Sequence, residues 1–212
     1  MKTILAYGDS LTFGANPTGG PRHAYEDRWP TALERGLAGQ ARVIAEGLGG
    51  RTTVFDDFSS VADRNGARVL PTLLDSHKPL DLVVIMLGTN DLKAYLNGTA
   101  FGAAMGIKRL VQIIRQHPYD LGQPIPEVII VAPPLTVETD HVDLHPMFAP
   151  RADEAELFDF YYSRVARDLG AGYFNAADVA VADKADGVHL DPANTRAIGE
   201  GLVPHVRKIL GL

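Results

Sequence analysis

Cysteine is absent from the 212 residues. This excludes a disulfide framework and any metal centre built on thiolates, and it leaves the redox compartment undecided. Basic runs are absent as well, and the formal net charge is -6. Nucleic acid and anionic membrane surfaces are therefore disfavoured as main partners. No apolar run is long enough to span a bilayer: the longest, residues 82–87, falls far short of the ~20 residues required. Lys2 is followed directly by an apolar strand, with no room for the charged segment, apolar segment and cleavage site of a secretory leader. A cytoplasmic protein is expected unless a leader has been removed. Internal repeats, linkers and low-complexity segments are also missing, so residues 1–212 are expected to form one domain. With 46% apolar and 22% charged residues, that domain should be globular with a substantial core.

The stretch around which the chain is organised lies at its start. A short apolar run, residues 4–7, breaks at Gly8 and presents Asp9 and Ser10. Such a run reads as a buried parallel strand ending in a tight turn. Further strands are predicted over 42–45, 80–87, 128–132 and 172–174. Helices are predicted over 29–37, 65–77, 99–117, 152–169 and 193–210. Pro71 should kink the second of these or mark its true start, and Pro204 should break the last. In the helix over 99–117, Phe101, Met105, Leu110, Val111 and Ile114 fall at helical spacing. In that over 152–169, Leu157, Phe158, Tyr161, Val165 and Leu169 share one face. Strands alternating with helices specify an α/β three-layer sandwich with a parallel sheet.

Polar residues of interest follow three strands and occupy one late loop. Ser10 follows the first strand, the Gly49-Gly50 pair the second and Asn90 the third, and Asp186-Gly187-Val188-His189 follows the last. Consecutive parallel strands end on one side, so these groups converge without special assumption. Each has chemistry available. An alcohol is a weak nucleophile until a base takes its proton, and His189 is the natural base for Ser10. Asp186 lies three residues before His189, close enough to fix its tautomer and stabilise the imidazolium. The backbone N–H groups of Ser10 and Gly50, with the side-chain amide of Asn90, could stabilise an oxyanion.

Gly8-Asp9-Ser10-Leu11, the glycine block ending at Gly50, Gly88-Thr89-Asn90-Asp91 and Asp186-Gly187-Val188-His189 resemble the four sequence blocks of the SGNH hydrolases, or GDSL esterases. The family's four letters would be Ser10, Gly50, Asn90 and His189. All four occur in the family's order, spread over residues 8–189. Residues 46–53 and 85–95 are similar to a narrower branch, the small bacterial arylesterase/acyltransferase proteins. The resemblance implies a flavodoxin-like five-stranded sheet of order 2-1-3-4-5. It also implies a serine esterase that acts on short-chain acyl or aryl esters without a cofactor, with acyl transfer to alcohols as a further expectation. Residues 136–150 carry no matching block.

Other polar residues have simpler readings. Asp9 is expected to stabilise its turn or cap a helix, Asp91 to fix the Asn90 loop, and Ser163 to be structural. His141, Asp143 and His145 alternate, but a solvated loop is the expected reading and no metal site is inferred. His23, His77, His117 and His205 are read as surface histidines, and Asp56 and Asp57 as a solvated loop. The glycine loop lacks the Lys-Ser/Thr ending of a P-loop and the frame of a dinucleotide site. The segment 133–150 is too long for an ordinary connection. It is expected to roof the site or to make a subunit contact, the latter giving a homo-oligomer. Phe13, Leu48 and Phe148 are expected to line the substrate mouth, although Phe13 and Leu48 read equally well as core. The intact Ser10, Asp186 and His189 set favours ester hydrolysis through an acyl-enzyme. Sugar deacetylation is an alternative within that class, and a non-catalytic small-molecule binding protein is the alternative outside it.

Overall fold

Residues 1–96 and 98–212 are described in the computed structural model of the chain. Five apolar segments form strands: β1 (Lys2–Gly8), β2 (Ala41–Gly47), β3 (Leu82–Met86), β4 (Glu127–Ala132) and β5 (Gly172–Asn175). They build one sheet of order β2-β1-β3-β4-β5, and every pairing is parallel. This is the flavodoxin-like order. Strand alternation sends Leu5, Tyr7, Val83, Ile85 and Ile130 to one face. It sends Ile4, Ala6, Leu82, Val84, Met86, Ile129 and Val131 to the other. Both faces are apolar because both are covered, as a parallel sheet requires.

Helices α3 (Gly66–His77), α4 (Ala100–Gln116) and α7 (Phe158–Leu169) cover the first face. Helices α2 (Trp29–Gly36) and α8 (Pro192–Leu210) cover the second. Shorter helical elements include α1 (Ser10–Phe13), α5 (Leu144–Phe148), α6 (Ala152–Ala155) and a 3₁₀ turn over Thr89–Leu92. Side-chain caps start the helices where the sequence supplies them. Asn65 caps α3, Thr99 caps α4 and Asp191 caps α8, each accepting backbone N–H groups of the first helical turn.

Several helix expectations are corrected. Pro71 does not mark the start of α3, which begins after Asn65 and runs through it. Helix α8 continues through Pro204 to Leu210. Pro204 lies on the solvent side, as does Glu200, whose carbonyl loses its partner, so water can replace the missing bond. The single helix predicted over 152–169 is two, α6 and α7. The Glu154 carboxylate accepts the Ala100 N–H at the start of α4 (2.8 Å), and this docking accompanies the turn at residues 156–157. Leu157 consequently faces outward. Phe101 and Met105 are exposed, and only the later members of the α4 pattern, Leu110, Val111 and Ile114, reach the core. Phe101 packs instead edge-on against Tyr161, ring centroids 5.5 Å apart.

Candidate active site

Strand β1 ends at Gly8, and the chain turns immediately into α1. Asp9 caps that helix: its Oδ1 accepts the Leu11 N–H at 2.9 Å. The capping turn leaves Ser10 as the first helical residue, at the C-terminal edge of the sheet. Trp29 anchors α1 from below, its indole N–H donating to Thr12 Oγ1 (3.1 Å).

The late loop between β5 and α8 brings His189 to Ser10. Asp186 organises this loop. Its Oδ1 accepts the N–H groups of Val188 (2.9 Å) and His189 (2.8 Å), and its Oδ2 lies 2.5 Å from His189 Nδ1. A carboxylate accepts, so Nδ1 carries the proton and Nε2 presents its lone pair. Nε2 lies 2.9 Å from Ser10 Oγ. Burial opposes the charge of Asp186, but the bonds from the His189 ring and the two N–H groups outweigh it. The carboxyl is held below its ordinary range. His23, expected on the surface, is buried. Its Nε2 meets the Leu190 carbonyl at 2.8 Å and fixes the loop directly after His189.

Asn90 stands on the 3₁₀ turn after β3. Its Nδ2 donates to Asp9 Oδ2 at 3.1 Å, and its second amide proton has no acceptor among the described residues. Asp9 therefore does more than cap a helix: it joins the serine turn to the asparagine turn. Burial pushes its carboxyl up to about 6, despite the opposing Leu11 N–H. Asp91 is likewise buried and fixes the loop as expected. Its carboxylate takes both the N–H (3.0 Å) and the hydroxyl of Thr53, tying the Asn90 turn to the segment after Gly50. Burial raises its carboxyl to about 7. Before the turn, Gly88 has φ +131, and a Cβ there would strike the Tyr162 hydroxyl.

Gly50 lies in the loop after β2 with φ +82, a conformation that favours glycine. Its N–H has no acceptor among the described residues. Ser10, Gly50, Asn90 and His189 line one cavity of about 610 Å³. Phe13, Leu48, Leu144, Met147 and Phe148 supply its apolar wall, and Ser59, Arg64, Lys93 and Tyr95 a polar one. Phe13 and Leu48 thus border the cavity rather than the core. The segment 133–150 contributes α5 to the wall. It is tied to the histidine loop by the Val137 N–H to the Gly187 carbonyl (2.9 Å) and the Thr139 hydroxyl to the Lys184 carbonyl (2.8 Å).

The polar wall was not foreseen. Asp57 is buried rather than solvated, and it accepts from Lys93 Nζ (2.7 Å), Arg64 Nη1 (3.0 Å) and the Tyr95 hydroxyl (3.1 Å). The one available signal was a lysine and a tyrosine shortly after the Gly88–Asp91 block, at Lys93 and Tyr95. The alternating histidines make local bonds instead: His141 Nδ1 accepts the Leu144 N–H (3.3 Å), and His145 Nδ1 donates to the Thr139 carbonyl (2.8 Å). Among the described residues, no group of three His, Cys, Asp or Glu is placed to hold a metal ion. None of their helices is long and apolar enough to cross a membrane.

The sequence profile of the GDSL-like Lipase/Acylhydrolase family matches residues 6–197. Among curated proteins, none matches by sequence. Solved structures do. A carbohydrate acetylesterase family member from Sinorhizobium meliloti is 51% identical, with a TM-score of 0.97 and both chains covered in full. An aryl esterase from M. smegmatis is 38% identical with a TM-score of 0.93, over 99% of this chain and 100% of that one. A second carbohydrate acetylesterase from S. meliloti is 34% identical with a TM-score of 0.94, again over 99% and 100%. A profile that spans nearly the whole chain, and likenesses that run from end to end, lead to one conclusion: the chain belongs to the GDSL-like lipase/acylhydrolase family and is a carboxylic ester hydrolase.

Proposed function

We propose that residues 1–212 act as one domain that hydrolyses small, short-chain carboxylic esters through an acyl-Ser10 intermediate. The observation that carries this reading is the continuous chain from Asp186 through His189 to Ser10, with gaps of 2.5 and 2.9 Å. His189 Nε2 takes the hydroxyl proton as Ser10 Oγ attacks the ester carbonyl. The Ser10 and Gly50 N–H groups and the free proton of Asn90 Nδ2 receive the oxyanion. Collapse of the tetrahedral species expels the alcohol, which takes its proton from His189. Water then attacks the acyl-enzyme by the same route in reverse. Asp186 keeps the imidazole in the required tautomer throughout.

A cavity of about 610 Å³ suits a small ester. Phe13, Leu48 and Phe148 are assigned to substrate contact. Leu144, Met147 and Phe148 among the lining residues support a roof formed by 133–150. The test compares p-nitrophenyl acetate turnover by the parent and by Ser10→Ala. Turnover that survives in the variant refutes the assignment.

A second reading, sugar deacetylation, is favoured by the polar wall of Ser59, Arg64, Lys93 and Tyr95 and by two relatives named carbohydrate acetylesterases. Acetate release from acetylated xylose, set against phenyl acetate, decides between them. Acyl transfer to alcohols is the finer proposal, supported by the apolar wall, which can concentrate an alcohol near the acyl carbonyl. Vinyl acetate with dilute benzyl alcohol tests it. An acetate to benzyl acetate ratio at or above the water-to-alcohol mole ratio makes the enzyme a plain hydrolase. The homo-oligomer proposed through 133–150 is tested by light scattering, where a monomer at micromolar concentration rejects it.

A further inference from the structure

We propose that Arg64, held by the buried carboxylate of Asp57, is a positioning residue that orients the Gly49–Gly50 peptide so that the Gly50 N–H faces the reacting carbonyl. This rests on the reading of Gly50 as an oxyanion donor. The Gly49 carbonyl and the Gly50 N–H belong to one planar trans unit, so they point in opposite directions. Fixing the oxygen therefore aims the N–H. Arg64 Nε donates to the Gly49 carbonyl at 3.1 Å. Its guanidinium also fills the space that a Gly50 Cβ would occupy.

The tether has work to do because a peptide between two glycines meets little steric resistance to rotation. Without Arg64, the unit is free to turn its carbonyl, rather than its N–H, toward the oxyanion. An acceptor there would repel the charge that develops in the transition state.

Arg64 is itself fixed. Its Nη1 donates to Asp57 Oδ2 (3.0 Å) and to Ser59 Oγ (2.7 Å). The same Asp57 oxygen takes Lys93 Nζ at 2.7 Å. The Asp57 side chain has no exposed surface and that of Lys93 has 5%. Burial opposes the charge of Asp57, yet the bonds from Lys93 and Ser59 hold its carboxyl far below the ordinary range. It remains an anion while the enzyme works. Lys93 ends the turn that carries Asn90, its N–H donating to the Asn90 carbonyl at 3.3 Å. One buried anion thus ties together the two loops that bear Gly50 and Asn90.

The test is steady-state hydrolysis of p-nitrophenyl acetate by Arg64→Ala, with and without added guanidinium. We expect kcat to fall about 10- to 100-fold, no more than the roughly 10²- to 10³-fold loss of removing an oxyanion donor outright, with KM changed less than about twofold. Millimolar guanidinium should restore a substantial part of kcat. Arg64→Lys, which keeps the charge but not the geometry, should remain low, and it serves should Arg64→Ala fail to fold. Melting curves and stoichiometric fluorophosphonate labelling identify the folded variants. A folded variant with kcat within threefold of the parent, or with only KM raised, overturns the inference, as does a loss that guanidinium does not touch. Asn90→Ala, assayed alongside, separates the two levels of failure. If it also keeps kcat, the oxyanion reading itself is wrong. If it loses kcat while Arg64→Ala does not, only the role of Arg64 falls.

Discussion

Ser10, His189 and Asp186 form a unit, so removing any one member should disable the others. Ser10→Ala and His189→Ala are each expected to lower kcat by about 10⁴ to 10⁶. Intact-protein mass spectrometry after fluorophosphonate treatment should find one adduct per chain, at Ser10. An adduct elsewhere would remove Ser10 from the role. Asp186→Asn is a finer probe. The amide oxygen can still accept the Val188 and His189 N–H groups, so the loop should keep its shape. The amide nitrogen, however, would face Nδ1 with a donor and drive the proton to Nε2. We expect a loss of about 10⁴ in kcat with a circular dichroism spectrum like the parent's. Near-parental activity would mean that some other group orients the ring. Asn90→Ala should cost about 10² to 10³ in kcat with KM little changed, as befits a contact made in the transition state.

At the scale of elements, competing terms decide the sign. Gly106 lies inside α4, where Gly→Ala ordinarily stabilises by about 1 kcal/mol. Here a Cβ would overlap Thr53 Oγ1, the hydroxyl that binds the buried Asp91 carboxylate. Gly106→Ala should therefore lower the urea midpoint, and a raised midpoint would show that helix propensity wins. Phe148, on α5, separates the main cavity from a smaller one of about 220 Å³; both are lined by Phe148, Leu144 and Val188. Phe148→Ala should join the two cavities. It should cost less than the about 3–5 kcal/mol of a fully enclosed Phe, and it should shift preference toward longer acyl chains. An unchanged profile from acetate to octanoate would take α5 out of acyl binding.

For the whole molecule, the consequence lies in pH. Asp9 and Asp91 sit buried where the strands end, with carboxyls raised from 3.8 to about 6 and about 7. At these two sites the folded chain therefore binds more protons than the unfolded chain between about pH 4 and 7. Their stabilisation is complete below about pH 4 and is lost as pH rises to about 7, with a slope near 1.4 kcal/mol per pH unit for each extra proton. Asp91→Asn should flatten that slope in urea titrations across the window. A variant as steep as the parent would mean that Asp91 does not contribute to it.

The apolar pattern of the chain was enough to specify the sheet and three of its strand-end features. Apolar runs that stop at glycine specify buried parallel strands, and parallel strands deliver whatever follows them to one edge, so Ser10, Asn90 and the glycine loop were legible in the sequence. Asp186 and His189 were legible because their pairing is local, made across three residues. Helix ends were legible where a cap marks them, as at Thr99. They were not legible at residues 156–157, where the helix turns beside the docking of Glu154 on α4. Which side of α4 Phe101 would take was settled by packing, because helical spacing names a stripe but not the neighbour that covers it. Asp57 was beyond the sequence for the same reason. An aspartate in a polar loop is solvated by default, and what buries this one is the arrival of Lys93 from another strand end and of Arg64 from the loop's return. Charge pairing in three dimensions depends on where chains meet, and local pattern carries no record of that.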